Sequence, residues 1–136
     1  PTSDAHLKLG SFSKVSRIYN DNVAKIIKHY PEEFIGAAVL PVDNSQDMVD
    51  ELNRMTQESG FKAVSLASSY NGVYLDDKRF LPVYKIAQQN KIPIFVHSQI
   101  VNPIGFERVQ DPLLTPVAEY VFDTTICIGK LLKADI

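Results

Sequence analysis

His97 is the residue with the most chemistry to offer. It stands directly after the apolar run Ile92-Pro-Ile-Phe-Val96, so a titratable ring sits at the carboxyl end of what reads as a strand. In parallel α/β folds ligands bind at that end, whether the sheet closes into a barrel or stays open. A neutral imidazole on a rigid strand end suits a divalent metal, or a general base working near neutral pH. The alternative is a ring hydrogen-bonded to the first residues of the following loop. A catalytic zinc takes about three protein ligands and keeps one position open, so His97 alone is not a site.

The other titratable residues carry weaker signals. His29 lies beside Tyr30-Pro31 at the end of a helical pattern, where the last helix carbonyls are its natural partners. His6 has no histidine or carboxylate two or four residues later, those positions being Lys8 and Gly10. Asp76 and Asp77 are adjacent carboxylates, but just before a helix they read as caps, and Asp123 before Thr124 and Thr125 reads the same way. Cys127 falls on an apolar helix face with no histidine near it in sequence, which makes it core rather than nucleophile. The 6 glycines are isolated, so no phosphate-binding loop is present.

The elements that must position His97 alternate. Val23, Ile26, Ile27 and Tyr30 share one helix face from Asn20 onward, until Pro31 disfavours helical geometry. The uncharged run from Phe34 to Leu40 reads as a strand buried on both faces. Asn44 or Ser45 caps a helix carrying Met48, Val49, Leu52 and Met55, with Asp50 and Arg54 four apart on its outer side. Gly60 stops it, and Phe61 to Ala67 is the next strand. A loop with an Asn71-Gly72 turn leads to a helix through Phe80, Val83, Tyr84 and Ala87, with Pro82 in its first turn. The strand ending at His97 follows. A loop from Gln99 to Pro112 leads to a last helix, capped by Asp123, with Thr124, Cys127, Ile128 and Leu131 on one face. Strands recurring about every 30 residues with helices between them are βαβ units in a parallel sheet.

At 136 residues the chain is one domain or part of one, and 45% apolar with 22% charged residues makes it globular rather than disordered. Lys and Arg number 14 against 16 Asp and Glu, with no basic stripe, which argues against a nucleic-acid partner. No run approaches the roughly 20 apolar residues of a membrane span. One cysteine excludes an internal disulfide and fits a cytoplasmic setting. Starting without Met and ending directly after a helical pattern, the chain is expected to be an internal portion of a longer one, since eight strands with their helices need roughly 250 residues.

The order of segments resembles the amidohydrolase-related family that includes the amino-carboxymuconate-semialdehyde and gamma-resorcylate decarboxylases. The likeness rests on Asn20-Asp21 opening a helix, Tyr30-Pro-Glu-Glu-Phe34, Ala38-Val-Leu-Pro41 and Glu51-Leu-Asn-Arg54. It continues through Gly60-Phe-Lys-Ala-Val64, Leu75-Asp-Asp77, Phe80-Leu-Pro82, Ile94-Phe-Val-His97 and Phe122-Asp-Thr-Thr125, roughly 115 of the 136 positions. The resemblance implies an α/β fold, part of a (β/α)8 TIM barrel covering about strands 2 to 4, with residues 1–136 a partial metal-dependent hydrolase domain. It implies a divalent metal, usually zinc, with His97 as the ligand that ends the fourth strand. The family's His-x-His pair, its later histidine and its late aspartate are absent, and Ser98 replaces the proline that often follows the histidine. The loop Ser68-Ser-Tyr-Asn-Gly-Val73 should lie over the same face, where Tyr70 and Asn71 could touch a small-molecule substrate, turn formation being the other role of Asn71. The whole enzyme would be a decarboxylase or hydrolase of a small carboxylated or ring compound, with this portion inactive alone and a homo-oligomer compatible with it. The competing reading is a non-enzymatic open α/β module that binds a small ligand on its strand-end loops.

Overall fold

A computed structural model describes residues 10–58 and 60–136. His6 lies outside the described residues. Helix α1 spans Phe12–His29, and the Ser11 hydroxyl caps it by accepting from the Lys14 amide. The helix therefore begins well before Asn20, which lies in its interior rather than opening it. Its buried residues Phe12, Ser16, Asn20 and Ile27 explain the discrepancy: two are polar, so an apolar count misses the inward face of the first half. At the other end the His29 ring bonds the Lys25 carbonyl at 2.9 Å, the helix-end role expected of it.

Strand β1 (Gly36–Val39) leads to α2 (Ser45–Gln57), whose cap is Asn44: its side chain accepts from the amides of Gln46 and Asp47. Strand β2 covers Phe61–Ala67. Before it, Gly60 has a φ of +94°, and a Cβ there would overlap Ile27 of α1, so glycine is required on both backbone and packing grounds. Short strands β3 (Ser69–Tyr70) and β4 (Val73–Tyr74) form a hairpin about Asn71 and Gly72, whose φ values of 50° and 76° are those of a primed two-residue turn. Asp77 caps a 3₁₀ turn at Lys78–Phe80 that runs into α3 (Leu81–Gln89), with Pro82 in its first turn. Strand β5 is Ile94–His97. A short α4 (Phe106–Val109) interrupts the expected loop, and a π-type turn at Thr115–Glu119 feeds α5 (Tyr120–Lys133).

The sheet order is β1-β2-β5 and both pairings are parallel, as the alternation requires. Val64 and Leu66 of β2 pack with Ile94 and Val96 of β5 into a core shared with Leu40, Met48, Leu52, Phe80, Val83 and Cys127. Cys127 is fully buried, as its apolar face predicts. The alternate residues of β5 point the other way, and Phe95 there is 62% exposed. An inner sheet face left open in this way is what a segment of a barrel presents.

At the free edge of β1 the last residue, Val39, is paired by a side chain. Asn20 donates to the Val39 carbonyl at 2.9 Å and accepts from the Val39 amide at 3.0 Å, so its amide group stands in for a neighbouring strand. It also donates to Glu51 Oε1 at 2.7 Å. Arg54 then bonds Glu51 and Asp21, and the Glu51 hydrogen bond in particular holds the guanidinium more firmly protonated than usual. The pairing of Asp50 with Arg54 suggested by their spacing does not form: Asp50 accepts from Gln46 instead.

Candidate functional site

The carboxyl ends of β2 and β5 lie side by side, Ala67 opposite His97. His97 is exposed and shares the open face of the sheet with Phe95. Its Nδ1 lies 2.8 Å from the Ser98 carbonyl oxygen. A carbonyl only accepts, so Nδ1 carries a proton, and it is the neutral ring in this arrangement that has its lone pair on Nε2, the tautomer a metal-ligating imidazole uses. The ring thus bonds the first residue of the following loop, the alternative reading of His97, and does so through Nδ1.

A buried polar cluster lies beside it. The Ser68 amide donates to the His97 carbonyl at 2.7 Å. The Ser68 hydroxyl accepts from the Gln99 amide at 2.8 Å and donates to Asp123 Oδ2 through a short hydrogen bond. Ser69 Oγ also reaches Asp123 Oδ2 at 3.4 Å, and the Tyr74 hydroxyl donates to Oδ1 at 3.0 Å. Ser68, Ser69, Gln99 and Asp123 are all buried, so hydroxyl donors stand in for the water the carboxylate has lost. Over this cluster opens a polar pocket of about 320 Å³, lined among others by Asn71, Tyr74, Gln99, Asn102 and Asp123.

Asp123 is the residue that sequence reasoning misplaced. It is not a cap: α5 starts at Tyr120 because the π-type turn delivers the chain into it, and Asp123 points into the core. The available signal was its spacing of four from Cys127, which puts both on one face. Of the adjacent pair, Asp77 does cap, accepting from the Arg79 amide, whose hydrogen bond lowers the carboxyl pKa. Asp76 instead pairs with Lys130 at 3.0 Å.

The two proposed substrate contacts separate. Asn71 lines the polar pocket, whereas Tyr70 stacks on Phe80 with ring centroids 6.2 Å apart and accepts from the Ala67 amide through its hydroxyl. His97 is not among the lining residues of that pocket. No group of three or more His, Cys, Asp or Glu that could hold a metal occurs among the described residues. No helix among the described residues is long and apolar enough to cross a membrane.

Burial and the hydrogen bond to Asp123 push the Tyr74 phenol up to about 12. A raised folded-state value favours the neutral phenol, so its stabilisation is complete below the unfolded value near 10 and is lost as pH rises through 12. The difference in phenolate absorbance between the wild type and Tyr74→Phe should show one tyrosine ionising near 12. A step near 10 would mean that Tyr74 is neither buried nor bonded to Asp123 in solution.

A sequence profile of the amidohydrolase family matches residues 11–129. The 2-amino-3-carboxymuconate-6-semialdehyde decarboxylase of Dictyostelium discoideum is 28% identical over 118 residues, which are 87% of this chain and 32% of that protein. Among solved structures, an amidohydrolase of Staphylococcus aureus superposes with a TM-score of 0.80 at 21% identity, covering 90% of this chain and 43% of the other. A dihydroxybenzoic acid decarboxylase from a Polaromonas species, with bound manganese and 2-nitroresorcinol, gives a TM-score of 0.77 at 21% identity over 88% of this chain and 38% of that one. The chain thus spans 32% to 43% of the length of these relatives. The chain belongs to the amidohydrolase family, and its parallel sheet with alternating helices is a segment of that family's TIM-barrel fold.

Proposed function

We propose that residues 1–136 are one portion of a barrel metalloenzyme that decarboxylates a small carboxylated ring or enol compound, with His97 as one ligand of a divalent metal. The observation that carries this reading is the exposed His97 at the end of β5, its Nδ1 tied to Ser98 and its Nε2 outside that hydrogen bond. When bound, the metal would supply Lewis-acid polarisation of a substrate carboxylate, or activation of a water in a hydrolytic variant of the reaction. This chain's own contribution is to hold one ligand rigidly and to shape the polar pocket, where Asn71 faces the substrate; Tyr70 braces the hairpin from behind. Decarboxylation ranks ahead of hydrolysis because the curated relative and the Polaromonas enzyme are both decarboxylases. Zinc is the metal we propose from the resemblance, with manganese as its competitor since the Polaromonas structure holds that ion. The setting we propose is cytoplasmic, in keeping with a single, buried cysteine, and a homo-oligomer is compatible with the exposed apolar residues of α5.

The test is carbon dioxide release from dihydroxybenzoates and from 2-amino-3-carboxymuconate semialdehyde by the whole protein. It should be run metal-free, with zinc and with manganese, beside ester and amide substrates. Metal-dependent carbon dioxide release supports the reading. Metal-dependent hydrolysis alone would move it to the hydrolases. Neither activity, with no metal retained, would leave a small-ligand-binding module.

A further inference from the structure

The segment leaving β5 is fastened both to the residues that follow β2 and to α5. Ser68 holds it twice, through its amide to the His97 carbonyl at 2.7 Å and through its hydroxyl to the Gln99 amide at 2.8 Å. Ser98 Oγ meets Thr124 Oγ1 at 2.8 Å, and the Gln99 side chain returns to the Ser69 carbonyl at 3.2 Å. A hydroxyl oxygen that accepts from one amide can still donate its proton, and the Ser68 hydroxyl donates to the buried carboxylate of Asp123. That acceptor fixes the hydroxyl rotor, which otherwise could turn away from Gln99. The residues after β2 and one helix, α5, thus converge on the three residues 97–99.

We propose that Asp123 is a positioning residue for His97 that acts through Ser68: the carboxylate orients the Ser68 hydroxyl, Ser68 grips the backbone on both sides of Ser98, and the Ser98 carbonyl orients the imidazole. This deepens the reading of His97 as a metal ligand and rests on it. Asp123 touches neither metal nor substrate in this role. Its burial with three hydroxyl neighbours follows, because a solvated carboxylate would not fix the rotor. Outer-shell groups that orient a ligating histidine typically change metal affinity by about 10- to 100-fold.

The experiment uses the whole protein in five forms: wild type, Asp123→Ala, Asp123→Asn, Ser68→Ala and the Ser68→Ala/Asp123→Ala double variant. Two quantities are read, the dissociation constants of zinc and manganese and the NMR cross-peak of the His97 ring in the metal-free protein. Asp123→Ala and Ser68→Ala should each weaken metal binding by about 10-fold and shift or split the His97 ring signal. The double variant should be no weaker than the worse single variant, since both break one chain of contacts. Asp123→Asn keeps an oxygen that can accept from Ser68 and should restore most of the affinity and the single ring signal. An unchanged ring signal in both alanine variants would overturn the proposal, as would independent, multiplying losses of affinity. If the wild type binds no metal, the metal reading fails by itself and the ring signal still decides the clamp. If Asp123→Ala does not fold, Ser68→Ala carries the test.

Discussion

Replacing Asn20 with alanine should lower the unfolding free energy by about 2–5 kcal/mol, because two buried backbone groups lose their partner at once and each such group costs about 1–3 kcal/mol unpaired. The groups are the Val39 amide and the Val39 carbonyl, Glu51 keeps its bonds from Arg54, and Asn20 itself is fully buried. Aspartate is no substitute, since its oxygens would face the Val39 carbonyl and Glu51 without a proton to share. Exposed Asn22, which only bonds back to the Ile18 carbonyl on its own helix, is the control. Its alanine variant should stay within about 0.5 kcal/mol of wild type. Denaturant titration of the whole protein reads both. A loss under about 1 kcal/mol for Asn20→Ala would mean that the edge of β1 is satisfied by something else.

Asn20 also marks what a sequence shows and what it hides. The strands were legible because parallel strands covered by helices are short apolar runs, and Phe61–Ala67 matches the sequence reading at both ends. Asn44 as a cap, Pro82 in the first turn of α3 and the Asn71-Gly72 turn were legible because each rests on one residue's local chemistry. The first half of α1 was not, since Ser16 and Asn20 are inward-facing polar residues whose partners are distant in sequence. Asp123 failed for the same reason. A polar residue in a helical stretch reads as a cap or as surface unless the groups that bury it are known, and its donors Ser68, Ser69 and Tyr74 lie about 50 residues away, in the β2–β4 region. The position of His97 and a bond from its ring to the start of the next loop were legible; which ring nitrogen makes that bond was not, because it depends on a backbone path that no motif specifies.

Removing that ring should abolish metal binding while leaving the fold intact. His97 is exposed, and its one hydrogen bond is to the neighbouring carbonyl, so His97→Ala should change stability by no more than about 0.5 kcal/mol. Loss of a ligand is a larger insult than loss of a group behind it, so the affinity for zinc or manganese should fall beyond the roughly 100-fold upper range of outer-shell changes. Carbon dioxide release should fall with it and should not return at saturating metal. The contrast with Asn20→Ala, which should lose stability, separates a residue that builds the fold from one the fold presents.

The most direct test is anomalous diffraction from crystals of the whole protein loaded with zinc, and in parallel with manganese. The predicted result is an anomalous peak at the carboxyl end of β5, with Nε2 of His97 about 2.0–2.1 Å from the zinc and Nδ1 still bonded to the Ser98 carbonyl. A peak bound by other residues with Nε2 of His97 facing solvent, or no peak at all in metal-saturated crystals, would contradict the account.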